Sequence, residues 1–246
     1  MPAEAKPACK CGKLRPPRKL HTAIGLWLAL FVCLHFAICL TGIHPAGYNA
    51  AVAALRHSLV RLPGAVLLLV LLPMSLQAAS GVFLLAKEGV SYNVKRCDRG
   101  GKLRYFIQRW SGIAMLAFLL THISAMRGWG SSALGFLGRS AAAHSLSPVT
   151  APTSFEYTAA ALHPWSPALG SVTAGFLLFG VLLTVYHIAN GAWTGSILWK
   201  IVQTEEGKTR MGYLAAFAGV ILLAMGVMAW YAFSLSPNIQ PILASR

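Results

Sequence analysis

The sequence predicts an all-α integral membrane bundle of five transmembrane helices, with a cytoplasmic N-terminus and an external C-terminus. Three observations predict it. Hydrophobic residues make up 56% of the 246 residues and charged ones 11%, where a soluble domain carries about 25% charged residues. Long stretches lack Asp, Glu, Lys and Arg altogether: 36 residues between Lys19 and Arg56, 25 between Arg61 and Lys87, 17 between Arg109 and Arg127, 43 between Glu156 and Lys200, and 35 between Arg210 and Arg246. A spanning helix needs about 20 mostly apolar residues. Finally, 16 basic residues fall in the segments 1–23, 87–109 and 199–211, against five in the remaining connections and the C-terminus. Cationic connections stay cytoplasmic, which sets the orientation. On a soluble protein the net charge of +15 would suggest nucleic acid; here it reports topology, and the partner is the lipid bilayer.

Residues 1–23 read as a basic cytoplasmic tail, too long and too basic for a cleaved signal peptide. The membrane domain covers 24–235, and 236–246 form an external tail. The first span is about 24–41. The second, about 64–86, contains Pro73, which frees a backbone carbonyl that a neighbouring helix must satisfy. The third is about 110–126, the fourth about 169–198 and the fifth about 212–233. The long connection 127–168 is external, with a short helix expected around Phe155–His163.

Polar groups inside a bilayer are costly and are functional candidates. His35, His122 and His187 stand in apolar spans on three different helices. A lone histidine there is often only an interhelical hydrogen-bond donor; three are harder to dismiss. His122 lies five residues before Arg127, about 7–8 Å from the external end. His35, in the outer half of an outward-running helix, shares that level. Two facing imidazoles are what axial ligation of a haem iron in a bundle needs. His187 lies nearer the cytoplasm, and the second span offers Gln77 at the matching depth instead of a histidine.

The string Leu20-His21-Thr22-Ala23-Ile24-Gly25, the intramembrane His35, Gln108-Arg109-Trp110-Ser111-Gly112 and His187-Ile188-Ala189-Asn190-Gly191-Ala192-Trp193 together resemble the cytochrome b membrane anchor of succinate dehydrogenase and fumarate reductase, of the single-chain, five-helix, two-haem type. The resemblance runs from about His21 to Phe233. It implies a flavoprotein and an iron–sulfur protein docked on the cytoplasmic face, electrons exchanged with membrane quinone, haem b as cofactor, and an oligomer of the whole complex. It assigns the outer haem to helices one and three, here His35 and His122. It assigns the inner haem to helices two and four, here Gln77 and His187. An amide oxygen is a weak ligand for haem iron, so one haem is expected and a second is in doubt; the alternatives at that site are a bound quinone, a haem held by His187 alone or with a displaced partner, and a Cys/His cluster. Some relatives carry a glutamate two residues before the last haem histidine; Val185 stands there, and no span contains Asp or Glu.

Arg109 and Ser111 open the third span, where they could hold a haem propionate or a quinone carbonyl, or simply anchor and cap the helix. His21 is weighed the same way. Asn190 could bond across helices or shape the pocket. Trp193 and Trp199 read as interfacial aromatics. The basic segment 91–104 suits docking of the iron–sulfur subunit. Cys9, Cys11 and Cys97 share the reducing side and form a candidate thiolate set for an iron–sulfur cluster or zinc, with His187 as a further ligand; the plainer reading is a tail with incidental cysteines. Cys33 and Cys39 read as small apolar packing. Competing functions are the cytochrome b subunit of another quinone-linked enzyme, such as a hydrogenase or formate dehydrogenase, and a transporter. The missing intramembrane carboxylates and broken half-helices weigh against the transporter.

Overall fold

A computed structural model describes residues 16–60, 64–89, 102–127, 153–162 and 170–244. The cysteines Cys9, Cys11 and Cys97, and most of the basic segment 91–104, lie outside the described residues. Among the described residues there is no strand, and five helices are long and apolar enough to cross a membrane.

Helix α1 runs Pro16–Leu40 and ends in a 3-10 turn, Thr41–Ile43. Gly42 sits there because a Cβ would lie 2.7 Å from the Phe233 ring. Helix α2, Pro45–Val60, was not among the expected elements. Pro45 at its first position has the φ a helix start needs and lacks only an N–H that would be unpaired anyway. A π-helical turn, Leu67–Leu71, leads into α3, Leu72–Glu88. Pro73 explains that turn: it cannot donate to the carbonyl of Leu69. The freed carbonyl is taken by Trp27 of α1, whose indole N–H donates to it at 2.8 Å.

Helix α4 spans Lys102–Arg127 and α5 Ser154–Leu162. Helix α6, Gly170–Leu198, turns through Lys200 at φ 59 into α7, Glu205–Ser234. Thr204 caps α7, its hydroxyl accepting from Gly207 N–H at 3.0 Å, and Glu205 and Glu206 face the positive end of the helix dipole. The chain finishes in a 3-10 turn, Pro237–Ile239, and α8, Gln240–Ala244. Several helices begin a turn or two before the expected spans. Their first turns carry basic residues, such as Arg18, Lys19 and Arg104, whose long stems can lie along apolar surface while the charge reaches water.

Helix α1 packs on α3 and α6, and α4 packs on α6 and, more lightly, on α3. The four form a square in which α1 faces α4 across one diagonal and α3 faces α6 across the other. Helix α7 lies outside, against α6 and α1. The outward faces stay apolar, with Leu26, Leu30, Phe217 and Val220 exposed, as lipid-facing positions should be. At the end of the bundle where α1 and α7 finish, α2, α5 and the end of α7 form a cap around Tyr48, Phe155, Phe233 and Ile239. Its polar groups are paired: Tyr48 Oη with Thr158 Oγ1 at 3.0 Å, and Phe155 N–H to Asn49 Oδ1 at 2.8 Å. Burial pushes the Tyr48 hydroxyl above the ordinary phenol pKa.

Candidate functional site

A partly open cavity of about 2540 Å³ runs through the square and on to α7 and the cap, lined by His21, His35, Gln77, Arg109, His122 and His187 among others. That exceeds the roughly 300–1,000 Å³ of a pocket for one small ligand. Its polar groups fall into two tiers. On α1, His21 and His35 are 14 residues apart, close to four whole turns, so both face inward about 21 Å apart. On α4, Ser111 and His122 are 11 residues apart, three turns or about 16 Å.

The outer tier lies on the α1–α4 diagonal. The His35 and His122 rings are 6.3 Å apart between centroids, with planes at 77°. Two metal–imidazole bonds of about 2.0–2.1 Å, with each nitrogen about 1.1 Å from its ring centre, put coaxial imidazoles about 6.3 Å apart. The spacing therefore fits a pair of axial ligands. Aromatic walls fix the rings: Phe31 stacks on His35 at 5.8 Å and Phe118 on His122 at 5.6 Å. Phe118 in turn needs Gly180 of α6, where a Cβ would lie 2.1 Å from its ring. His122 Nδ1 is buried without a hydrogen-bond partner, and Cys39 Sγ lies 3.8 Å from His35 Nε2.

The inner tier is polar and cross-linked. Ser80 Oγ donates its one proton to the Gln77 carbonyl at 3.0 Å, so it accepts from His21 Nδ1–H at 2.8 Å. That leaves His21 Nε2 with a bare lone pair, which the Gln77 amide Nε2 fills at 3.2 Å. Gln77 Oε1 is left buried and unpartnered. The same logic holds on α4 and α6. Ser111 Oγ donates to the Gln108 carbonyl at 3.0 Å and so accepts from His187 Nδ1–H at 3.1 Å. The Gln108 amide nitrogen, 3.3 Å from that Nδ1, gives its proton to the His187 carbonyl, also at 3.3 Å. Gln108 Oε1 accepts from Asn190 Nδ2 at 2.7 Å. His187 Nε2 is thus bare as well and has no partner among the described residues. Small residues let these rings sit against backbone: Gly81 beside His21 and Gly112 beside His187.

The geometry changes four expectations. Gln77 does not stand alone against His187, because His21 holds its amide. Arg109 and Ser111 do not open their helix: α4 begins at Lys102, so they lie two turns in. Ser111 is buried on His187, and Arg109 donates to the Leu84 carbonyl at 3.2 Å while covering the Tyr105 ring at 4.7 Å. Trp193 is buried rather than interfacial, its indole N–H donating to the Lys208 carbonyl at 2.9 Å with the Arg104 guanidinium 4.1 Å over its ring. Trp199 keeps the interfacial character expected of it: it is exposed, with Lys19 over its ring. Sequence reasoning passed over Ser80; its signal was the Gln-x-x-Ser-Gly spacing, which puts it one turn from Gln77. Among the described residues no three His, Cys, Asp or Glu side chains gather as a metal group.

The chain is similar to the succinate dehydrogenase cytochrome b558 subunit of Bacillus subtilis (strain 168), with 24% identity over 223 residues, 88% of this chain and 95% of that one. The resemblance read from the sequence motifs is borne out at this level. No protein-family model matches the chain, and no solved structure does.

Proposed function

We propose that the chain is the haem-binding membrane anchor of a succinate:quinone or quinol:fumarate oxidoreductase. The observation that carries the reading is the His35–His122 pair, 6.3 Å apart in an aromatic-walled cavity. These two residues would hold one haem b, which supplies a one-electron redox centre when bound. The chain's own residues do the rest. Phe31 and Phe118 fix the two imidazoles, and Gly180 admits Phe118. The apolar outer wall keeps water from the site, and the spans offer no Asp or Glu for a carboxylate relay through the bilayer core of this subunit.

In this reading the N-terminus is cytoplasmic, and the basic segment 91–104 faces an iron–sulfur subunit that carries a flavoprotein. Electrons pass between that pair and membrane quinone in the bacterial cytoplasmic membrane, and whole complexes associate as oligomers. The similarity to a cytochrome b558 subunit supports this over the hydrogenase or transporter alternatives. The test is purification of the intact complex. A dithionite-reduced b-type band, with a flavoprotein and an iron–sulfur protein co-purifying, is expected. A complex without haem would overturn the reading.

A further inference from the structure

Two acceptors of the inner tier belong to residues that line the cavity: Gln77 Oε1 on α3, buried without a partner, and His187 Nε2 on α6, which no described residue bonds; Asn190 Oδ1 is also buried and unpartnered, but Asn190 does not line the cavity. The first two sit on helices that face each other across the cavity. Neither can change character freely. His187 is held as its Nδ1–H form by Ser111. Turning the Gln77 amide over would require His21 to take its other tautomer and Ser80 to give up its bond to the Gln77 carbonyl. His21 is itself held by Ser80, so the chain Ser80–His21–Gln77 fixes which end of the amide faces the cavity.

This donor set does not suit a second bis-histidine haem. His21 has both nitrogens engaged, and the remaining facing group is an amide oxygen, a poor partner for haem iron. Two acceptors across a cavity call for a flat ligand with a donor at each end. A buried acceptor left unpaired is costly, so a ligand that gives a proton to each of these atoms is favoured. We propose that the inner tier binds the head group of a para-hydroquinone, one hydroxyl donating to Gln77 Oε1 and the other to His187 Nε2. The oxidised quinone has only acceptors to offer these atoms and binds more weakly. The inference rests on the quinone-linked reading above and adds the place, the two contacts and the preference for the reduced form. His21 is a positioning residue: it holds the amide and does not touch the ligand.

The test uses the intact complex under anaerobic conditions, without succinate or fumarate, and equilibrium dialysis of a short-chain naphthoquinone in its reduced and oxidised forms. The reduced form should bind about tenfold more tightly or better, the equivalent of one good hydrogen bond. Gln77→Leu and His187→Ala should each lose most of that advantage while keeping the outer haem's spectrum, which also reports that the variant has folded. His21→Ala should let the Gln77 amide turn and so narrow the difference between the two forms more than it weakens binding overall. Equal affinity for the two forms in the unsubstituted complex would overturn the proposal, whatever the variants do. So would a second low-spin haem that disappears in His187→Ala. Either result leaves the outer haem, and with it the proposed function, intact; a complex with no haem fails the proposed function instead.

Discussion

The two tiers of the cavity use the same side chain in opposite ways. His35 and His122 stand among Phe31, Phe36 and Phe118, and His122 Nδ1 has no partner at all. His21 and His187 stand among Ser80, Gln77, Ser111 and Gln108, with Nδ1 of each bonded to a serine. In the outer tier, aromatic packing orients the imidazoles, with a single weak thiol contact from Cys39 to His35 Nε2. In the inner tier, hydrogen bonds fix the tautomer, and one lone pair is already taken by an amide. A histidine's chemistry in a membrane is therefore set by what holds its other nitrogen.

Breaking the outer tier should need only a change of shape. Gly180→Val places atoms where Phe118 lies, since a Cβ alone would be 2.1 Å from that ring. Overpacking of this kind costs about 1–3 kcal/mol or more, and the expected result is a complex that loses its haem band and melts at lower temperature. An unchanged haem content would mean that Phe118 does not orient His122.

The inner tier should respond to loss of a single hydrogen-bonding atom. Ser111→Ala leaves the His187 Nδ1–H without its serine acceptor, and a buried donor left unpaired costs about 1–3 kcal/mol. A lower melting temperature with the outer haem's spectrum unaltered is expected. A shifted haem spectrum would show that the tiers are not independent. The smallest effect belongs to the cap around Tyr48. Tyr48→Phe removes the bond to Thr158 and should cost about 1 kcal/mol in thermal stability, with no change in haem content.

Much of the outer tier was legible in the sequence, because charge gaps locate helix ends and a fixed rise converts residue number to depth. That arithmetic put His35 and His122 at one level, and the structure brings their rings together. It could not find α2, since Pro45–Val60 carries Arg56 and His57 and makes no charge-free run of spanning length of its own. The inner tier was the least legible part. Ser80, Gln77 and His21 are joined across α1 and α3, and Gln108, Ser111, His187 and Asn190 across α4 and α6. No spacing along one helix announces which of its polar residues meets a neighbour's. Trp193 misled for the same reason: an aromatic near a helix end looks interfacial until its indole is seen bonded to Lys208.

The basic asymmetry makes a separate commitment. Reporter fusions within residues 91–104 should read out on the cytoplasmic side, where the proposed iron–sulfur subunit would dock; an external readout would invert both tiers relative to that partner.

The central claim is that the outer pair, and not the inner one, holds haem iron. The most direct measurement is haem-to-polypeptide stoichiometry with low-temperature spectra in the intact complex carrying His35→Ala, His122→Ala or His187→Ala. One low-spin haem per chain in the unsubstituted complex, lost in each of the first two variants and retained in the third, is the predicted result. Haem retained in both His35→Ala and His122→Ala would contradict the claim.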